Sequence, residues 1–236
     1  MKRINMPRTQ EQNEQVREIT RQKILDSALT IYVRYGYAGT VMDQIAVEAK
    51  IAKGLLYYYY KNKRELFVDL FDKTIDHLSS ASEDFFKKTE GKSAIYKLVH
   101  YSKDIFGLGM KDSRLIQFAM RMPFDAYAVF GQSGWKKGMK GSEIHTLNLE
   151  RIISDGISEG TVTCRDAKSA AASFWTVYVS GLFRFTSMMS AKGMDNTDIP
   201  TDLEALLGFG MAGLGVDEET WKTVLYEMRL WKNENL

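Results

Sequence analysis

Between Ile24 and Phe71 the apolar residues come in short runs at helical spacing, each cut off by a turn signal, and this pattern admits little besides a cluster of small helices. Ile24, Ala28, Ile31 and Tyr35 recur at intervals of four, three and four, which puts one apolar face on a helix from Glu18 to Tyr35. Gly36 then supplies a C-terminal stop. Thr40 stands as the N-cap of a second helix, with Asp43 three residues on in capping-box spacing. Met42, Ile45, Ala46 and Ala49 give that helix its buried face. A turn at Lys50-Ile51 leads into Lys53-Gly54-Leu55-Leu56 and four consecutive tyrosines, Tyr57 to Tyr60. Asn62 and Glu65 repeat the cap spacing and open a longer helix through Leu66, Phe67, Leu70 and Phe71. Two of these helices, joined by a tight turn, have the length and order of a helix-turn-helix.

The rest of the chain reads the same way. Only Pro7, Pro123 and Pro200 occur in 236 residues, and long helices tolerate few interior prolines. Helices are expected at about 93–109, 112–122, 124–131, 142–159, 166–191, 201–214 and 217–233. Thr161 to Cys164 is strand-like but short, so the fold class is all-α. Residues 1–17 are polar and expected as a flexible N-terminal arm, with Lys2, Arg3 and Arg8 available to a polyanion.

Several function classes are excluded on the same grounds. The uncharged stretch from Ser169 to Phe183 falls short of the roughly 18–20 apolar residues of a membrane span. The first residues lack the apolar core of a secretory signal. A single cysteine, Cys164, fits a reducing cytoplasm. His77, His100 and His145 are scattered without metal-ligand spacing, so neither metal nor cofactor is expected. No nucleophile–base pair, HExxH motif or phosphate-cradling glycine loop is visible, which argues against an enzyme.

The net charge of +2 conceals an asymmetry, because Met1 to Arg64 hold twelve Lys/Arg against six Asp/Glu. A basic first quarter on a mildly acidic body suits a bound polyanion and equally suits a solvated face. The tyrosines sharpen the reading. Leu56 and Tyr60 share one helical face, while Tyr57, Tyr58 and Tyr59 fan across the remainder, so at least one is exposed. Phenols beside Lys53 can bond phosphates and pack on sugars and thymine methyl groups, and Gly54 lets the backbone approach closely. Lys61, Lys63 and Arg64 gather at the next helix start, where a phosphate would meet positive charge and helix dipole together.

Gly36-Tyr37, Thr40, Ile45-Ala46, Lys53-Gly54, Leu56-Tyr57, Tyr59-Tyr60, Lys63 and Glu65-Leu66 together resemble the N-terminal signature of the TetR family of transcriptional regulators. The likeness runs from Ile24 to Leu66 with the expected order and gaps. It implies a DNA-binding domain over 18–78, with the helix-turn-helix at about 40–60, and a helical effector-binding and dimerisation domain over 79–236. It further implies contacts to operator DNA from Thr40, Val41, Lys53, Gly54, Leu55, Tyr57, Tyr58, Tyr59 and Lys63. The sequence departs from the signature at Ala52, where serine is common, at Leu55, where small or polar residues are frequent, and at Tyr60, whose hydroxyl replaces a phenylalanine edge and needs a partner.

Beyond residue 90 the resemblance is architectural. The segment from Ala170 to Phe183 is apolar nearly all round and rich in small residues, so it suits a buried or dimeric seam. Ala172, Val179, Phe183, Leu207 and Met211 are the candidate dimer contacts, and a monomer's central core helix is the alternative. Phe118, Met122, Tyr127, Phe130, Trp135, Trp175 and Tyr178 are candidate linings of an adaptable apolar effector pocket, although core packing explains any one of them. The expected protein is thus a homodimeric repressor released from its operator by a small, largely apolar effector. Control by a protein partner, or activation in place of repression, is the competing reading.

Overall fold

The computed structural model describes residues 10–192 and 199–233, and every regular element among them is helical. Helices α1 (Gln10–Gly39), α2 (Met42–Glu48), α3 (Lys53–Tyr59) and α4 (Lys63–Lys88) come first. They are followed by α5 (Ala94–Lys111), α6 (Ser113–Phe130), α7 (Gly134–Glu159), α8 (Ala167–Lys192), α9 (Ile199–Gly213) and α10 (Glu218–Asn233). The Thr161–Cys164 segment is a connector whose Thr163 N–H donates to the Leu214 carbonyl at 3.1 Å. Lys2, Arg3 and Arg8 lie outside the described residues. Residues 10–17, expected as part of a flexible arm, form the exposed first turns of α1. Charge pairs from Glu18 to Lys73 and from Arg21 to Asp69 then hold α1 onto α4.

Two hydrophobic cores organise the chain. The first gathers Ile24, Ala28, Ile31 and Tyr32 of α1, Ile45 and Ala46 of α2, Leu56 of α3, and Leu66 and Phe67 of α4. Tyr35, expected on the inner face, is instead exposed, and fully buried Tyr32 takes that role. Gly36 ends the regular helix as expected, with φ 70° and ψ 175°. A side chain there would also meet the Arg121 guanidinium at 2.7 Å.

The first core is completed from far along the chain. Phe118, Met122, Ala126, Val129 and Phe130 of α6 are buried in it. Phe118, Met122 and Phe130, expected as linings of an effector pocket, thus pack beneath the helix-turn-helix. Tyr127, expected beside them, faces solvent. The Trp135 side chain lies outside the described residues. Trp175 and Tyr178 belong to the second core, built by α5, α7, α8, α9 and α10 with Phe85 of α4 and Ile116 of α6. Three expected dimer contacts, Val179, Leu207 and Met211, are also buried in this second core of their own chain. Ala172 is exposed and Phe183 half-buried.

Helix α6 runs unbroken through Pro123, where the sequence suggested two shorter helices. Proline forfeits one backbone hydrogen bond there, but the helix is packed on both sides and its dihedrals are compatible with the turn. On one side it lies on α1. On the other, α7 comes so close that a Cβ on Gly134 would sit 2.2 Å from the Ala126 carbonyl oxygen, and one on Gly138 would sit 2.4 Å from the Ala126 Cβ. The glycine-rich stretch 134–141, which reads as a poor helix former, is therefore helical because glycine alone permits this approach. Replacing Gly138 by valine should cost about 1–3 kcal/mol through overpacking. Thermal unfolding by circular dichroism should show a fall of several degrees, whereas Gly54→Ala, where nothing lies within 4 Å of the added carbon, should not.

Candidate nucleic-acid interface

Local chemistry sets the angle between α2 and α3. Thr40 is 1% exposed, and its Oγ1 donates to the Gly36 carbonyl at 2.7 Å, so it closes α1 and does not cap α2. Helix α2 starts one residue later than expected, with Val41 as N-cap and the Gln44 side chain accepting from the Val41 N–H at 3.1 Å. Lys50 takes the left-handed conformation at φ 51°, and Ile51 N–H returns to the Ala46 carbonyl at 3.0 Å. The turn from Ala49 to Ala52 thus pivots on one left-handed residue and is short enough to bring the start of α3 beside the start of α2.

Helix α3 divides its tyrosines by face. Leu56 and Tyr60 point inward, as their four-residue spacing required. The Tyr60 hydroxyl finds its partners in the Asp69 carboxylate and the Arg21 guanidinium. Burial first, and then the Asp69 bond, push that phenol well above its ordinary range. Lys53, Gly54, Leu55, Tyr57 and Tyr58 face out, with Tyr58 70% exposed. Tyr59 is half-buried, packs edge-on to Tyr58 and donates to the Arg17 carbonyl at 3.4 Å.

Lys63 is placed otherwise than expected. Its ammonium donates to the carbonyls of Tyr37 at 2.7 Å and Thr40 at 2.9 Å, and lies 4.6 Å from the Tyr37 ring centroid. Desolvation draws its pKa down from the usual lysine value. It ties the α1–α2 corner together and is not presented outward. Arg64 is likewise spent on the Val129 carbonyl at 2.8 Å. Of the nine predicted contacts, Val41, Lys53, Gly54, Leu55, Tyr57 and Tyr58 share an exposed surface, while the side chains of Thr40 and Lys63 serve the scaffold. Asp43 and Val47 are exposed on the same pair of helices and were missed, because capping-box spacing absorbed Asp43 and helical periodicity alone cannot rank outward residues.

A seven-residue helix carrying a lysine, a glycine, a leucine and two open phenols on its outer side matches the width of a major groove, about 12 Å. Lysine and hydroxyl donors suit phosphates and guanine edges, and leucine suits thymine methyl groups. Fold and surface together define a helix-turn-helix DNA-binding protein.

Residues 24–70 match the family model described as bacterial regulatory proteins, tetR family. The chain is 25% identical over 161 residues to the helix-turn-helix transcriptional regulator YhgD of Bacillus subtilis, covering 68% of this chain and 81% of that protein. It is 43% identical over 56 residues to the transcriptional repressor SCO4008 of Streptomyces coelicolor, but this covers only 24% of this chain and 29% of that one. The solved structure of the transcriptional regulator FadR from Bacillus subtilis in complex with stearoyl-CoA superposes with a TM-score of 0.60 at 23% identity, over 81% of this chain and 98% of that chain. Residues 24–70 thus form a TetR-type DNA-binding domain, in a chain similar over most of its length to a helix-turn-helix transcriptional regulator. Among the described residues no helix is long and apolar enough to cross a membrane.

The two sides of α3 should separate cleanly on mutation. Tyr58→Ala should lower DNA affinity at least tenfold in a mobility-shift titration without moving the unfolding temperature. Tyr60→Phe should do the reverse, costing about 1–3 kcal/mol of stability for the lost bonds to Asp69 and Arg21 while leaving affinity unchanged.

Proposed function

We propose that this protein is a repressor that binds its operator as a homodimer and is released by a small, largely apolar effector held in the second core. The observation that carries the reading is the sharing of α6 between the two cores. Arg114 reaches from the start of α6 to Thr30 at 2.6 Å and Asp26 at 2.8 Å on α1. Arg121 donates to the Val33 carbonyl at 2.9 Å, and Tyr32 donates to Asp125 at 2.8 Å. Any ligand that repacks α6 against α7 or α8 therefore moves α1 and the helix-turn-helix with it. Such a ligand shifts the equilibrium only by its differential affinity for the two geometries.

The complexed FadR structure supports an amphipathic effector. The second core offers one polar seam for such a ligand's polar end. Ser82 donates to Asn148 at 2.8 Å, Asn148 to the Tyr101 hydroxyl at 3.2 Å, and Tyr101 bonds His145 Nδ1 at 2.6 Å. The His145 ring stacks on Trp175 with centroids 4.0 Å apart. For dimerisation, Ala172, Thr176 and Val177 of α8 and Ala205, Phe209 and Ala212 of α9 face outward. Small residues around one large aromatic side chain permit close helix approach across a twofold axis. Two recognition helices related in this way must meet major grooves about 34 Å apart.

The named resemblance to a repressor supports negative control. A second reading, control through a protein partner, is favoured by Phe124, 82% exposed, and Tyr127 on the outer face of α6. The two readings part on one experiment. Titrating fatty acyl compounds into the protein bound to its own upstream region should release DNA and raise the unfolding temperature together. A compound panel that does neither, with Phe124→Ser abolishing regulation in cells, supports the partner. Mobility shifts that are absent, or insensitive to salt between 50 and 200 mM in steps of roughly that range, sink DNA-directed repression itself.

His145 provides a pH test of the polar seam. Burial holds its pKa down from 6.5 to about 4. A histidine held below its unfolded value stabilises fully above about pH 6.5, and that contribution is lost as the pH falls toward 4. Urea midpoints measured from pH 8 to pH 4 should fall below pH 6.5, with a shallower fall in His145→Gln.

A further inference from the structure

We propose that Asp43 is a specificity-determining residue, acting with Lys53 as a paired acceptor and donor that reads one G·C base pair in each half-site. Asp43 is the second residue of α2 and Lys53 the first of α3. Their side chains meet across the turn, with Asp43 Oδ2 2.8 Å from Lys53 Nζ, and both are more than half exposed. Lys53 also lies 5.9 Å from the ring centroid of exposed Tyr57, on the same outward surface.

The ends of α1 and α2 are closed without this carboxylate. Gln44 closes the start of α2, and Thr40 closes the end of α1. The neighbouring cations are committed elsewhere: Lys63 to the carbonyls of the α1–α2 corner, Arg64 to Val129 and Arg21 to Asp69. Asp43 and Lys53 are thus an ion pair held at the leading edge of the recognition helix, where a polyanion arrives.

A carboxylate in that place opposes phosphates and accepts hydrogen bonds only. On an arbitrary duplex Lys53 either stays on Asp43 and contributes little, or leaves it and exposes an uncompensated negative charge. Only a base pair that presents an acceptor to Lys53 and a donor to Asp43 satisfies both partners. In the major groove guanine presents the O6 acceptor and its paired cytosine the N4 donor, side by side across their own hydrogen bond. That bond is about 2.9 Å long, close to the separation of the protein's donor and acceptor. Lys53 then donates to guanine O6 while Asp43 accepts the second N4 hydrogen of cytosine. A T·A pair presents its O4 acceptor and N6 donor in the same order, but it sets the thymine methyl group beside O4 where guanine offers N7, so a Lys53 ammonium that donates to both O6 and N7 favours the G·C pair.

The test is selection from a random duplex pool by the full-length protein and by Asp43→Ala, Asp43→Asn and Lys53→Met, followed by titration against the selected duplex and a scrambled duplex of equal length. The wild-type sites should share a G·C pair in each half-site that becomes unconstrained with Asp43→Ala. Affinity of Asp43→Ala for the scrambled duplex should rise about threefold or more, and its selected-to-scrambled ratio should fall by roughly tenfold, the scale of one bidentate base contact. Unfolding temperatures should be unchanged in Asp43→Asn, which keeps the side-chain shape. If Asp43→Ala and Asp43→Asn select the wild-type sequence with an unaltered ratio while Lys53→Met weakens binding, the assignment of Asp43 is overturned and α3 remains the recognition helix. If the wild-type protein enriches no sequence even at low salt, the recognition-helix reading fails with it.

Discussion

Helix α6 must bury two faces at once, and the molecule is arranged around how it does so. One face completes the core under the helix-turn-helix through Phe118, Met122 and Ala126. The other is covered by α7 at a distance set by Gly134 and Gly138 against Ala126. Apolar burial supplies attraction on both sides, while the hydrogen bonds that Arg114 and Arg121 donate to α1 and that Asp125 accepts from Tyr32 fix direction. The DNA-binding helices therefore cannot form their complete core without a segment some ninety residues away. Whatever repacks α6 therefore also acts on the core beneath α2 and α3.

The recognition surface illustrates how much of a binding site is scaffold. Leu56 and Tyr60 anchor α3 from beneath, and the Tyr60–Asp69–Arg21 set joins α3, α4 and α1. Lys63 gathers the carbonyls at the end of α1 and the start of α2. A buried or half-buried polar group needs such partners, and once it has them it is no longer free for a phosphate. The outward side chains of α3 are correspondingly few: Lys53, Leu55, Tyr57 and Tyr58.

Much of this was legible beforehand. The periodicity from Ile24, the stop at Gly36 and the pairing of Leu56 with Tyr60 are local rules, obeyed because neighbouring residues on one helix share one face. The departures are equally instructive. Tyr35 was expected inside, yet it faces solvent and Tyr32, one turn earlier, is buried in its place. Pro123 was expected to divide a helix, and packing on two sides overrode that single lost bond. Phe118, Met122 and Phe130 looked like pocket linings because aromatic and methionine side chains serve either purpose. Val179, Leu207 and Met211 looked like interface residues because an all-round apolar helix does not say which neighbour covers which side.

From residue order alone came the helical class, the short-helix architecture of the first ninety residues and the family signature, because all three depend on spacings of a few residues along one chain. Which lysine faces outward, which helix completes the first core and where Asp43 meets its partner depend on contacts between segments far apart in sequence. Periodicity carries no information about those distances. Only the packed structure, where carbonyls compete with phosphates for Lys63 and two helix starts converge on Lys53, decides them.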